Sequence, residues 1–224
     1  MTVNLLPIQG ALAGGMLLAA FFSVGRNRLP TFLRYYAISS ACLAGLIAAN
    51  AVTTGHAAEY VGAALTVLVK VGLIPLGLLL TARRSGESLR LQPITRPVLS
   101  YGLAFLAVGA AYVMSRRLPV APEAAGAGQP PLWGLLFVAL ALILLGFLIL
   151  IIRRDLYSQM VGFLTIENGI AAFAVVAIGG APFLMEMGIF AVIASGVLLM
   201  ALLSSEVHRL YQTHDTGVLR DLTD

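Results

Sequence analysis

The sequence has few charged residues, and this shortage excludes a soluble fold. Only 11% of its 224 residues are charged and 59% are hydrophobic, whereas a soluble domain has about 25% charged and about 45–50% apolar residues. A soluble fold of this length cannot bury so much apolar surface in one core. We therefore expect an integral membrane protein, with lipid as its surroundings.

Cysteine and histidine are also scarce. The single cysteine, Cys42, excludes an internal disulfide and a self-contained Cys₄ iron–sulfur or zinc site. His56, His208 and His214 are too scattered to form a metal site. No P-loop, dinucleotide fingerprint or nucleophile elbow is present. We therefore expect no cofactor and no metal in this chain, and no chemistry on a substrate.

The net charge of +4 does not indicate a nucleic-acid partner. All but one of the 14 basic residues are arginines, and they flank the apolar runs rather than forming one basic surface. This distribution is typical of membrane topology and not of nucleic-acid binding.

Seven apolar runs approach the roughly 20 residues that a helix needs to cross the hydrocarbon. They are continuously apolar rather than alternating, which argues against a transmembrane β-barrel. The sequence thus predicts an all-α, polytopic transmembrane helix bundle of about seven spans, approximately 9–24, 31–51, 60–82, 98–114, 131–152, 159–178 and 182–205.

The arginines predict the orientation of these spans. Eleven follow spans one, three, five and seven, whereas only Arg116 and Arg117 lie in the opposite connections. Positive charge concentrates in cytoplasmic loops, so the N-terminus is predicted outside and the C-terminus in the cytoplasm. Tyr35, Tyr36, Tyr60 and Trp133 fit an aromatic belt at the membrane interfaces.

A stretch rich in proline, glycine and alanine divides the chain, because such a composition does not form a helix. The predicted parts are an N-terminal four-span bundle (1–117), an external loop (118–130), a three-span module (131–208) and a cytoplasmic tail (209–224).

Two charged residues lie inside predicted spans. Glu167 interrupts the apolar run "GFLTIENGIAAFAVV", and Lys70, the only lysine, lies near the middle of the third span. A charge at a helix centre costs about 2.5–3.5 kcal/mol on the insertion scale. Burial brings the pKa of both residue types nearer to physiological pH, so both are candidate proton-relay groups. The alternative is a static ion pair that fixes helix packing.

Three further features support these candidates. Pro75 cannot donate a hydrogen bond to the carbonyl of Val71, which predicts a kink beside Lys70 where water could bind. Asn168 is expected to form a helix–helix hydrogen bond. Arg153 and Arg154 are expected to anchor a cytoplasmic turn.

The stretch "QMVGFLTIENG", followed by "MEMGIF" and a tail with "THDTGVLRDL", resembles the membrane subunit known as hydrogenase-4 component E. The spacing of Lys70 and Pro75 is similar to that family's third span. The resemblance covers most of the chain, most specifically residues 153–222. Family members belong to the membrane arms of group 4 NiFe hydrogenases and formate hydrogenlyase-type complexes, which are relatives of respiratory complex I.

The last three spans also resemble the K-type subunit of complex I and the C subunit of Mrp antiporters, where an arginine pair and a turn precede a helix with a buried glutamate. Here the turn is "RRDLY". Aligning the arginines places Leu164 at the glutamate position, with Glu167 three residues later on the same helix face. A second acid is missing, since span seven has no charge from Met187 to Leu203, and Val192 stands where some component E proteins carry an acid.

The resemblance implies a non-redox, non-catalytic membrane subunit that couples electron transfer to proton or sodium translocation in the cytoplasmic membrane of a bacterium or archaeon. It implies antiporter-like subunits and a redox-coupled membrane module as partners, lipid as surroundings, and a nickel–iron site and iron–sulfur clusters in partner subunits. Two alternatives remain open, namely a purely structural subunit that holds antiporter-like subunits together and an autonomous secondary transporter.

Overall fold

The computed structural model describes residues 5–55, 57–84, 90–91, 94, 96–118 and 132–178. Most of these residues are helical, as the sequence predicts, and strand-like pairing among them is confined to isolated bridge positions, including the bridge between Arg28 and Arg90. The helical elements are α1 (Leu6–Val24), α2 (Leu29–Thr54), α3 (Ala57–Thr66), a π-helical segment (Val67–Leu73), α4 (Ile74–Arg84), α5 (Pro97–Arg117), α6 (Leu132–Ile152) and α7 (Leu156–Ile178).

Local sequence signals set several helix ends. Proline occupies one of the first two positions of α1, α2 and α5, where its missing N–H costs no helical hydrogen bond. After α2, Gly55 has a φ of 73°, a left-handed conformation that glycine adopts without strain. Before α7, the Asp155 carboxylate accepts a hydrogen bond of 2.8 Å from the Ser158 N–H, which caps the helix.

Five helical stretches in the described part of the chain are long and apolar enough to cross a membrane. They correspond to the first five predicted spans and are Pro7–Val24, Leu29–Thr53, Ala57–Arg83, Pro97–Arg117 and Gly134–Ile152. The sixth predicted span is present as the 23-residue α7, which carries Gln159, Glu167 and Asn168 and is not one of these five. The predicted all-α fold class is confirmed, while the span count and the orientation stay predictions.

Several predicted features lie outside the described residues. They are the seventh span (182–205), the tail (209–224), nearly all of the external loop (118–130) and the side chain of Trp133.

Helices α6 and α7 form a tightly packed antiparallel hairpin. Gly146 on α6 lies against Gly162 on α7, so that a Cβ added to Gly146 would be 2.7 Å from the Gly162 carbonyl oxygen. A Cβ on Gly169 would likewise be 2.8 Å from the Ala139 carbonyl oxygen. Small residues at both points let the two backbones approach closely, which is how membrane helices gain packing energy.

The hairpin packs directly on the first two helices. Helix α1 contacts α6, α2 contacts α7, and α5 contacts α6. Helices of the predicted N-terminal bundle (1–117) and of the predicted three-span module (131–208) therefore share one core in the described residues. This arrangement places α2 and α7 side by side, which is the contact that builds the site described below.

The stretch from α3 through the π-helical segment to α4 lies at the edge of the bundle and packs mainly on α2. Its outer face is apolar, with Val67, Leu68, Leu73 and Leu76 at least half exposed. Lys70 in the same stretch is only 1% exposed. The lysine is therefore directed away from the apolar outer face and into the bundle, as expected for a charge inside a membrane.

Replacing Gly146 by alanine should destabilise the bundle. The new methyl group would meet the backbone of α7, and such overpacking costs about 1–3 kcal/mol. The matched control is Gly134→Ala on the same helix, where an added Cβ meets nothing within 4 Å and the higher helix propensity of alanine is worth up to about 1 kcal/mol. The measurement is the Tm of each variant in detergent, read from the monodisperse fraction after heating. Equal Tm values for the two variants would contradict the packing described here.

Candidate functional site

Helix α7 contributes an acid and an amide to the interior of the bundle. Glu167 is 4% exposed and Asn168 is fully buried. The face of α7 that carries them also buries Leu164 and Thr165, and it packs on α2 and α6. Both polar side chains therefore point between helices, where a charge is retained only if it finds a partner.

That partner is Lys70, which comes from the π-helical segment. The Lys70 ammonium forms an ion pair with the Glu167 carboxylate and donates a hydrogen bond of 3.1 Å to Oδ1 of Asn168. The Asn168 Nδ2 in turn donates to the hydroxyl oxygen of Ser40 at 2.9 Å. Side chains from α2, α7 and the π-helical segment thus form one buried polar cluster, which we call the Lys70–Glu167 cluster.

Tyr36 adds a further hydroxyl to the cluster. It is buried on α2, one turn from Ser40, and its hydroxyl lies near Ser40 and the Glu167 carboxylate without making a hydrogen bond. The prediction that Tyr36 belongs to an interfacial aromatic belt is therefore wrong. The reason is the packing of α2 against α7, which encloses this face of α2.

The helix around Lys70 is π-helical rather than simply kinked. The Ile74 N–H donates to the Val69 carbonyl, an i→i+5 bond. The next i→i+5 bond would join the N–H of residue 75 to the Lys70 carbonyl. Proline has no N–H, so Pro75 ends the π pattern. A backbone distortion was predicted from Pro75. The prediction placed the lost hydrogen bond at the Val71 carbonyl, because it assumed the i→i+4 bonds of an α-helix. Single π turns within α-helices often occur at functional sites.

The cluster can exist in two states of equal net charge. In one state the ammonium and the carboxylate are both charged, and in the other the proton has moved from Lys70 to Glu167 and both groups are neutral. In a medium of low dielectric the two states differ far less in free energy than in water, because burial penalises both charges.

A second buried polar pair lies at the end of α2. The Asn50 Nδ2 donates a hydrogen bond of 3.0 Å to Oε2 of Glu59, in the first turn of α3. Both side chains are buried. The predicted third span (60–82) begins after Glu59, so Glu59 was not among the predicted intramembrane charges. A signal in the sequence could have identified Glu59. It precedes Thr66 by seven residues, and Thr66 precedes Lys70 by four, and these spacings place residues on one helix face.

The turn between α6 and α7 is anchored by Arg153. Its guanidinium donates hydrogen bonds of 2.7 Å to the carbonyl oxygens of Val24 and Arg26 and lies over the ring of Phe32. Burial lowers the pKa of the Arg153 guanidinium, and the nearby Asp155 carboxylate opposes that shift. Arg154, the other residue predicted here, is exposed.

The structure brings together only some of the predicted site residues. Lys70, Glu167 and Asn168 are in direct contact, and Pro75 lies one turn from Lys70 at the end of the π pattern. Arg153 and Arg154 lie apart from the cluster, at the start of the α6–α7 turn. Leu164 is fully buried in the apolar core.

Within the described ranges, no three residues among histidine, cysteine, aspartate and glutamate lie close enough together to hold a metal ion. Cys42 is a partly buried thiol on α2.

Comparison with known proteins gives similarity along the whole chain. The chain is 28% identical over 217 residues to hydrogenase-4 component E of Escherichia coli, covering 96% of this chain and 97% of that protein. The same figures hold for hydrogenase-4 component E of Shigella flexneri. An uncharacterized protein of Mycobacterium tuberculosis is 25% identical over 222 residues, covering 95% and 94% of the two chains. No family model and no solved structure matches. The predicted resemblance to hydrogenase-4 component E is confirmed.

Replacing Lys70 alone should cost more stability than replacing Lys70 and Glu167 together. Lys70→Met leaves a buried acid without its cation, and breaking a buried ion pair in this way costs about 3–5 kcal/mol. In the double variant Lys70→Met/Glu167→Gln no charge is stranded, so part of that stability should return. The measurement is the Tm of both variants in detergent. If the double variant is less stable than Lys70→Met by the full cost of Glu167→Gln alone, the two residues are not coupled.

Proposed function

We propose that this chain is a non-redox, non-catalytic membrane subunit of a hydrogenase-4-like complex, and that its Lys70–Glu167 cluster takes part in coupling electron transfer to proton translocation. Similarity to hydrogenase-4 component E over 96% of the chain and five helices able to cross a membrane support the first part. The buried ion pair between α7 and the π-helical segment is the observation that carries the second part.

The mechanism follows from the two states of the cluster. When a neighbouring subunit places a positive charge near Glu167, the carboxylate form is favoured and a proton is released toward Lys70 or toward water. When that charge leaves, the neutral acid is favoured and a proton is taken up. The cluster thus converts a change of charge next to it into a change of proton occupancy, by local electrostatics.

The surrounding residues support this exchange. Asn168 holds Lys70 on one side and Ser40 on the other, so the ammonium has a polar partner in the neutral state of Glu167. The π-helical segment and Pro75 interrupt the hydrogen-bond ladder beside Lys70, and water reaches the pair at that interruption. Arg153 fixes the α6–α7 turn against the α1–α2 turn and so fixes α7 relative to α2.

Partner subunits would supply the redox chemistry. The chain has one cysteine, so the nickel–iron site and the iron–sulfur clusters belong to other subunits. Antiporter-like subunits and a redox-coupled membrane module are the proposed neighbours, in the cytoplasmic membrane of a bacterium or archaeon. The exposed apolar face of α3 and α4 is available for lipid or for these subunits.

A static role is the second candidate. The contacts that bind Lys70 to Glu167 and Asn168 are also what a structural clamp between helices would need. In that case the chain would hold antiporter-like subunits together without exchanging protons.

Purification from the native membrane tests the first part of the proposal. We expect the tagged chain to co-purify with a hydrogenase-type catalytic subunit and with antiporter-like membrane subunits, identified by mass spectrometry after mild detergent extraction. The same purification with Gly146→Ala, which weakens the bundle, serves to show that recovery depends on the folded chain. A monomer that transports a solute by itself in proteoliposomes would instead identify an autonomous transporter.

The neutral substitution Glu167→Gln tests the second part. Glutamine keeps the size and a hydrogen-bonding oxygen of glutamate but cannot take up a proton, and it leaves Lys70 without its anion. Ion translocation per assembled complex should therefore fall, while electron transfer persists in the complex that assembles. The measurement is the acidification of membrane vesicles per electron transferred by the assembled complex. Glu167→Asp, which keeps an ionisable group, is the control and should retain part of the translocation. Normal coupling in Glu167→Gln, with lost assembly in Lys70→Met, would favour the static role.

A further inference from the structure

We infer that Glu59 is a second protonatable site, through which the Lys70–Glu167 cluster exchanges protons with the aqueous phase on the side of the α2–α3 connection. The inference rests on the proposed function, because it assigns one end of the proton route that the cluster requires. It is carried by the burial of Glu59 and by its place on the same helix face as Lys70.

The orientation of Glu59 is the first observation. Glu59 is 6% exposed and accepts its hydrogen bond from the equally buried Asn50. Its sequence neighbours Tyr60 and Val61 point outward and are about half exposed. A glutamate used only for solubility or for the helix dipole would point to water, so the inward position of the carboxylate needs another reason.

The face of α3 that carries Glu59 leads to Lys70. Its buried residues are Glu59, Gly62, Ala63 and Thr66, and Lys70 follows one turn after Thr66. This face packs on α2, where Asn50 and Ser40 mark the two ends of the same interface. The two polar sites are therefore joined by one helix–helix interface rather than separated by a third helix.

A polar group lies between the two sites. The Thr66 hydroxyl is fully buried and donates its hydrogen to the Gly62 carbonyl at 2.9 Å, so its oxygen can accept a hydrogen bond from water. Between Thr66 and Glu59 the interface is lined by the small residues Gly62 and Ala63. Thr66 and Lys70 are about 6 Å apart along the axis, and Thr66 and Glu59 about 10 Å, at 1.5 Å per residue. At about 2.8 Å per hydrogen bond, the proposed route needs about one water molecule across the shorter distance and about three across the longer one.

The proton steps conserve charge. Glu59 takes up a proton from the aqueous phase and passes it to water in the α2–α3 interface, and this water passes a proton by way of Thr66 to the cluster, where Lys70 or Glu167 takes it up. Glu59 is thereby returned to its starting state. Among the described residues, the titratable groups at the far end of this interface are Lys70, Glu167 and Tyr36, while Asn50 on α2 donates a hydrogen bond to Glu59.

The first experiment replaces Glu59 by glutamine in the assembled complex. Glutamine can still accept the hydrogen bond from Asn50, so assembly and electron transfer should persist. Acidification of membrane vesicles, followed with a pH-sensitive dye, should slow at least about tenfold, since a positioned proton donor contributes at least that much to a proton transfer. Glu59→Asp keeps the ionisable group and should recover part of the rate.

The second experiment obstructs the interface without touching either polar site. Ala63→Leu fills the space between Glu59 and Thr66 and should slow acidification, whereas the control Ala64→Leu, on the exposed side of α3, should not. Ala63→Leu overpacks a buried interface, so translocation is measured per assembled complex, and this pair then tests the route even where Glu59→Gln fails to assemble.

The outcomes separate the two proposals. If Glu167→Gln abolishes translocation while Glu59→Gln and Ala63→Leu translocate normally, the route through Glu59 is overturned and the proposed function stands. If all of these variants translocate normally, the proposed function fails as well. If Ala63→Leu and Ala64→Leu slow translocation equally, the interface is not the path.

Discussion

The ion pair between Lys70 and Glu167 is the interaction on which the rest of the structure depends. Two opposite charges among apolar helices are tolerated only in contact with each other, because neither lipid nor the protein core solvates them. The contact requires α7 to pack beside α2 and requires the edge helix to direct its lysine inward. Two further features hold α7 in the position that the contact needs. Glycines bring α6 and α7 close together, and Arg153 anchors the turn between them.

The π-helical segment resolves a conflict within the edge helix. Most of this helix is apolar and faces outward, as a helix at the rim of a membrane bundle should. One residue of the segment carries a charge that must face inward. A π turn fits one additional residue into a turn and so changes which side chains share a face, and here it places Lys70 toward Glu167 while Leu68 and Leu73 stay exposed.

Both polar sites depend on α2, although α2 itself carries no acid. Ser40 accepts a hydrogen bond from Asn168 in the Lys70–Glu167 cluster, and Asn50 donates one to Glu59 at the other end of the interface. Small uncharged polar groups on a central helix are inexpensive to bury when they are hydrogen-bonded, and they stabilise charges on neighbouring helices. The relay proposed for this chain therefore belongs to an interface of three helices and not to α7 alone.

The sequence by itself determined the helical class, the first six helical segments to within a few residues, and the identity of the two central charges, because long apolar runs and an isolated charge within them are local properties. Only the tertiary structure decided that Lys70 meets Glu167 and Asn168, that Tyr36 is buried, that the backbone at Lys70 is π-helical, and that Glu59 faces inward. Each of these depends on which helix packs against which. Which helices become neighbours is set by shape and hydrogen-bond complementarity between segments far apart in the chain. It therefore cannot be predicted from any single segment.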